Sequence, residues 1–163
     1  MIEAMPTFYL FVLAALGAGL LPKGSMRAAL LLLVPVLAAL QIWSLPEGNL
    51  YQVELLGQQL ELMRVDKLSR VFGLIFCIAA FLGNLYAWHI KDTVQQIAAV
   101  LYSGSAIGAV FAGDLVTLFF YWEGTAIASV FLIWARRTEG AYHTGMRYLI
   151  IQITSGVILL AGT

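Results

Sequence analysis

The chain has 163 residues, 61% of them hydrophobic and 11% charged, and its nine basic and nine acidic side chains cancel to a net charge of zero. A soluble domain normally carries about 25% charge, and here the charges are bunched between long apolar runs, the pattern of an integral membrane protein. Zero net charge removes the electrostatic case for nucleic acid, and the lone Cys77 excludes an internal disulfide framework and a cysteine-built metal site.

A membrane-spanning helix needs about 20 mostly apolar residues, and six runs qualify or nearly do. The first, Ala4 to Pro22, lacks the basic leader of a signal peptide. Only Glu3 precedes it, while Lys23 and Arg27 follow, so it reads as a retained helix. The second runs from Ala28 to Leu45, with Pro35 as an expected kink. Between the second and third runs the texture changes. Leu50 to Leu55 and Gln59 to Leu62 alternate apolar with polar residues, and Gly57 lies between them. That pattern predicts a β-hairpin on the outer surface, with an amphipathic loop or short interfacial helix as the alternative. The third run is Val71 to Ile90 and the fourth Thr93 to Gly113. In the fourth, Gly104, Gly108 and Ala112 fall four apart, as do Ser105, Ala109 and Gly113, a spacing that lets helix backbones approach closely in lipid. The fifth, Leu115 to Ala135, contains one charge, Glu123. The sixth starts near Tyr148 and is still apolar at Thr163, which suggests the N-terminal part of a longer subunit or one piece of a split gene. The expectation is a single all-α membrane domain over residues 1–163, with about six transmembrane helices and a short outer hairpin between helices 2 and 3.

Orientation follows from the basic residues. With the N-terminus outside, the inner loops carry Lys23, Arg27, Lys91, Arg136, Arg137 and Arg147, against Arg64, Lys67 and Arg70 outside. Trp43, Trp88 and Trp134 fall near helix ends, as interface aromatics should.

Glu123 is the residue most open to chemistry. It lies nine residues beyond Asp114, which places it about 13 Å along the helix, near the middle of a ~30 Å hydrocarbon core. A charged carboxylate there costs roughly 3 kcal/mol on insertion scales. Burial penalises its charged form and a nearby cation favours it, so movement of a cation can change its proton occupancy. The competing reading is a protonated glutamate hydrogen-bonded to a neighbouring helix. No lysine or arginine of this chain sits at that depth, so in this piece alone the carboxyl is expected to be protonated and to face the bundle rather than lipid. His143 before helix six and His89 at the end of helix three read as solvated side chains, Asp114 and Asp66 as capping carboxylates, and Gln152 and Thr154 as interhelical hydrogen-bonding groups. No phosphate loop, His/Cys cluster or nucleophile elbow occurs, so neither a cofactor nor a metal is expected and a self-contained membrane enzyme is disfavoured.

The run from Asp114 through Tyr121 and Trp122 to Glu123 resembles the fifth helix of the antiporter-like subunits of respiratory complex I, Mrp-type Na+/H+ antiporters and membrane-bound hydrogenases. Val65 to Ser69 looks like that family's segment before helix three, and Met146 to Ile150 like the start of its helix six. The resemblance spans residues 50 to 163. It implies a fourteen-helix subunit in which this glutamate pairs with a lysine on a seventh helix, beyond Thr163. Gly124 and Thr125 depart from the bulkier apolar residues the family carries after the glutamate, and the departure leans toward the D-type antiporter subunits. The function so implied is proton conduction in a multisubunit cation/proton antiporter of the cell (inner) membrane, with Glu123 as the proton-transfer group. Its partners would be other membrane subunits, H+ and, as coupling ion, Na+. The alternatives are a membrane-arm subunit of a complex-I-like quinone oxidoreductase or hydrogenase, which would make the chain part of a redox-driven ion-translocating enzyme, and a non-conducting assembly subunit.

Overall fold

The computed structural model describes residues 5 to 55 and 57 to 162; Glu3, Ala4 and Thr163 lie outside them. Six helices and one hairpin follow in the order α1 (Thr7–Leu20), α2 (Ser25–Ser44), β1 (Gly48–Leu55), β2 (Gln58–Val65), α3 (Lys67–Tyr86), α4 (Thr93–Val110), α5 (Leu115–Trp134) and α6 (Glu139–Ala161). Of these α2, α5, α6 and α3 with its 3-10 extension to His89 are long and apolar enough to cross a membrane. The expected six spans therefore appear as six helices, four of which meet that criterion. The described part of α1 has 14 residues, because the residue before Pro22 is driven out of the helical region: Leu21 is extended at φ −74° and ψ 145°. In α4, Gln95 and Gln96 dilute the apolar character of an 18-residue helix.

Two boundaries differ from expectation for one reason. Helix α3 starts at Lys67 rather than Val71, held by a capping box in which the Asp66 carboxylate accepts from Ser69 N–H and the Ser69 hydroxyl accepts from Asp66 N–H. Helix α6 starts at Glu139, nine residues before Tyr148, on a Thr138 hydroxyl that accepts from Ala141 N–H. Both first turns are polar and therefore lie outside the apolar runs. His143 consequently sits within α6, and it is exposed.

Helix α2 runs through Pro35. A proline lacks the N–H that would bond the carbonyl four residues earlier, here Leu31. That freed carbonyl accepts from Asn84 Nδ2 of α3 at 2.7 Å, so the proline's missing donor is supplied by the neighbouring helix.

The expected hairpin forms, with Gly57 in the left-handed region at φ +77° as the tight turn requires. The strands pair antiparallel from Gly48↔Val65 to Leu55↔Gln58 and are each longer than the alternating pattern suggested. Met63 and Val65 turn into the core at 1% and 2% exposure. The backbone of β2 also ties to the α4–α5 connection: Arg64 N–H donates to Phe111 O at 2.8 Å and Gly113 N–H to Glu61 O at 2.9 Å.

The core lies between α1, α2 and α4 and is built from Phe11, Ala14, Ala18, Leu31, Val34, Ile42, Val100, Ile107 and Phe111. The small-residue spacing on α4 serves two neighbours. Gly104 faces Phe11 of α1, and Gly108 faces Tyr121 of α5 so closely that an added Cβ would stand 2.5 Å from the ring. Helix α6 lies at the edge, packed on α5, with only Gly145 and Gly156 buried among its described residues.

Candidate functional site

Helix α5 begins at Asp114, whose carboxylate accepts from Thr117 N–H and from the Thr117 hydroxyl, both at 2.7 Å. Its second oxygen also accepts from Glu61 N–H of β2 at 2.7 Å, so one side chain caps α5 and moors the hairpin to it. Burial pushes the Asp114 carboxyl up, but the donors from Thr117 and Glu61 outweigh burial and hold it below the usual carboxylate range. The capping role expected for Asp114 is what the geometry shows.

Glu123 follows two and a half turns later on α5. The residue is half-buried, and its Oε1 is shut off from solvent with no hydrogen-bond partner among the described residues. That oxygen lies over Gly156 of α6, with Phe119 of α5 beside it. The face of α5 around Glu123 is split. Ala126 and Val130 are 1% exposed, whereas Val116, Phe120 and Ile127 are 37%, 56% and 49% exposed. The carboxylate therefore stands on a seam, with α6 covering one side and an apolar, uncovered strip of α5 on the other. Gly124, one of the two residues that depart from the family pattern, turns the other way. It faces Ser105 of α4, where an added Cβ would come within 2.9 Å of the hydroxyl oxygen. The Thr125 hydroxyl donates back to Tyr121 O of its own helix at 2.9 Å. Both contacts lead away from the carboxylate.

Toward the basic end of the same seam the Ser129 hydroxyl, which donates to Ala126 O at 2.7 Å, is hydrogen-bonded to Tyr148 Oη at 3.0 Å. Gln152 is half-buried midway between Tyr148 and Gly156, four residues from each, and shares their stripe of α6. Thr154, expected to bond between helices, is exposed and donates instead to Ile150 O of its own helix at 2.7 Å. His89 and His143 are both exposed, and no group of three or more metal-ligating side chains occurs among the described residues.

One buried charge is not visible in the sequence pattern. That pattern places Arg27 in a loop, yet it lies in the first turn of α2 at 3% exposure. Its guanidinium donates to Thr93 Oγ1 at 2.7 Å, to Gln96 Oε1 at 3.4 Å and to Leu21 O. It thereby clips the α1–α2 turn to the start of α4. Its position at the end of an apolar run, where an arginine usually reaches water, hides this in the sequence. The two ion pairs among the described residues are Arg70 with Glu47 and Arg137 with Asp92.

No family model matches the chain. Curated relatives do. The antiporter protein mnhA2 of Staphylococcus epidermidis is 31% identical over 107 residues, covering 61% of this chain and 13% of that protein. The A1-type Na+/H+ antiporter subunit of Staphylococcus haemolyticus is 29% identical over 105 residues, covering 60% and 13%. The A-type Na+/H+ antiporter subunit of Alkalihalophilus pseudofirmus is 26% identical over 106 residues, again covering 60% and 13%. The chain thus spans about an eighth of the length of these relatives, 13% in each case. They support the resemblance to Mrp-type antiporter subunits, and their names are of the A type where the sequence leaned toward the D type.

Proposed function

We propose that this membrane protein is a proton-conducting part of a multisubunit Na+/H+ antiporter, in which Glu123 takes up and releases the transported proton. The observation that carries the reading is the Glu123 carboxylate itself. It lies at mid-helix with Oε1 buried on Gly156 and unpartnered, beside an uncovered strip of α5. Ionisable groups within membrane helices are costly and are kept for function. An oxygen with no donor among the described residues leaves room for a proton, a water or a cation to decide its state. A cation brought to the strip formed by Val116, Phe120 and Ile127 would favour the ionised form, and its withdrawal the protonated one. The relatives' names favour an antiporter over a quinone oxidoreductase or hydrogenase, with H+ and Na+ as the transported ions.

In this reading all six helices cross the bilayer with the N-terminus outside. Helices α1 and α4 bury five of 14 and seven of 18 residues, against two of 23 in α6, so they tolerate a shorter or more polar surface than the lipid-facing α6. The six basic residues Lys23, Arg27, Lys91, Arg136, Arg137 and Arg147 then gather at the cytoplasmic end.

The test is Glu123→Gln in the assembled antiporter. Proton flux into proteoliposomes should fall to background while the complex still assembles. Wild-type flux from the variant would turn the reading into that of an assembly subunit with an idle, protonated glutamate.

A further inference from the structure

Away from the seam, a cleft of about 260 Å³ opens at the basic end of the bundle, between the α1–α2 and α3–α4 connections. Its walls carry Lys23, Ser25, Trp88, His89, Lys91 and Gln96. From these residues we infer a binding site for a phosphate group, carried either by the headgroup of an anionic membrane lipid or by free phosphate.

Four features converge on that chemistry. Lys23 and Lys91 are both exposed, the neighbouring acid, Asp92, is engaged by Arg137, and among the described residues no carboxylate lines the cleft to neutralise them. The 20-residue helix α2 opens onto the cleft through Gly24 and Ser25. With glycine at its cap position, its first N–H groups have no capping side chain. An uncapped helix start presents donors and a partial positive charge to an anion. Behind the wall stands Arg27, a buried cation that among the described residues bonds only neutral oxygens and leaves its Nε unpartnered. Gln96 accepts from Arg27 and also lines the cleft, so the arginine's positive field lies one residue deep. Finally, the cleft is level with the ends of two candidate membrane spans, at Ser25 and His89, with Trp88 in its wall. That is headgroup depth, where tryptophan is favoured and where basic pockets between helices hold anionic lipids. The volume equals that of roughly nine waters at liquid density, room for a phosphodiester and the glycerol beside it.

The full chain, purified in detergent, is titrated by native mass spectrometry with phosphatidylglycerol, with phosphatidylcholine and with inorganic phosphate. Wild type should retain phosphatidylglycerol over phosphatidylcholine. Lys23→Gln and Lys91→Gln should each weaken it about fivefold, and the double variant about 30-fold. Lys67→Gln, at the opposite end of α3, should leave retention unchanged. If inorganic phosphate neither binds nor competes, the ligand is the lipid headgroup; if it binds with the same lysine dependence, the ligand is free phosphate. Equal retention of both lipids with no phosphate binding, or a double variant indistinguishable from wild type, overturns the site. Circular dichroism of each variant checks that the exposed lysines were removed without unfolding.

Discussion

Gly156→Ala separates the position of the Glu123 carboxylate from the stability of the fold. An added Cβ at Gly156 overlaps Glu123 Oε1 and stands 3.1 Å from its Cδ and 3.2 Å from Phe119 Cε2. Nonbonded heavy atoms rest more than about 3 Å apart and Oε1 is the atom that overlaps, so the carboxyl group has to withdraw by roughly one ångström or more. The obstacle is the end of a flexible side chain rather than backbone, and the strain of a displaced rotamer is about 0.5–1.5 kcal/mol. Glycine to alanine inside a helix returns about 0.8–1.0 kcal/mol. The two effects nearly cancel, so thermal unfolding of the purified protein should move little. Function should not be spared. A misplacement near 1 Å in a reacting group costs on the order of a hundredfold in rate, so proton flux through the assembled antiporter should fall about that much. Flux at the wild-type level, with the fold intact, would show that the contact between Glu123 and Gly156 plays no part in proton transfer. A large loss of stability would instead show that α5 and α6 pack in a way that cannot absorb one methyl group.

Three further outcomes follow from the geometry. Gly108→Val pushes against the buried Tyr121 ring and should destabilise by about 1–3 kcal/mol in a thermal-shift assay. Asp114→Ala removes the α5 cap and the hairpin's anchor and should cost about 1–2 kcal/mol at pH 7. Because the Asp114 carboxyl lies below its ordinary value in the folded protein, its contribution is present above about pH 4 and is lost as pH falls through the folded-state value; the gap between variant and wild type should therefore close in acid, and a gap that widens would contradict the capping geometry. Single cysteines placed at Gly24 and Thr138, with Cys77 replaced, should resist membrane-impermeant labelling from outside, and labelling of both from that side would reverse the orientation.

Composition and periodicity alone determined the membrane character, the order of six helices around one hairpin, and Glu123 as the isolated charge. Those features are written in long apolar runs, in an alternation of two residues, and in one carboxylate that breaks a run; each is a local pattern that burial enforces directly. Polar helix starts were less legible, as the early beginnings of α3 and α6 demonstrate. A capping box or a threonine cap reads as loop until its bonds are seen. What only the tertiary structure decided are relations between distant residues. Asn84 answers the carbonyl freed by Pro35 across 53 positions of chain. Arg27 is buried because Thr93 and Gln96 come to it from α4. Gly156 lies under Glu123 because α6 folds back on α5 and only a residue without a side chain lets the carboxylate fit there. A hydrogen bond or a close approach depends on where two helices cross, and crossing is set by the packing of the whole bundle rather than by either segment's own sequence.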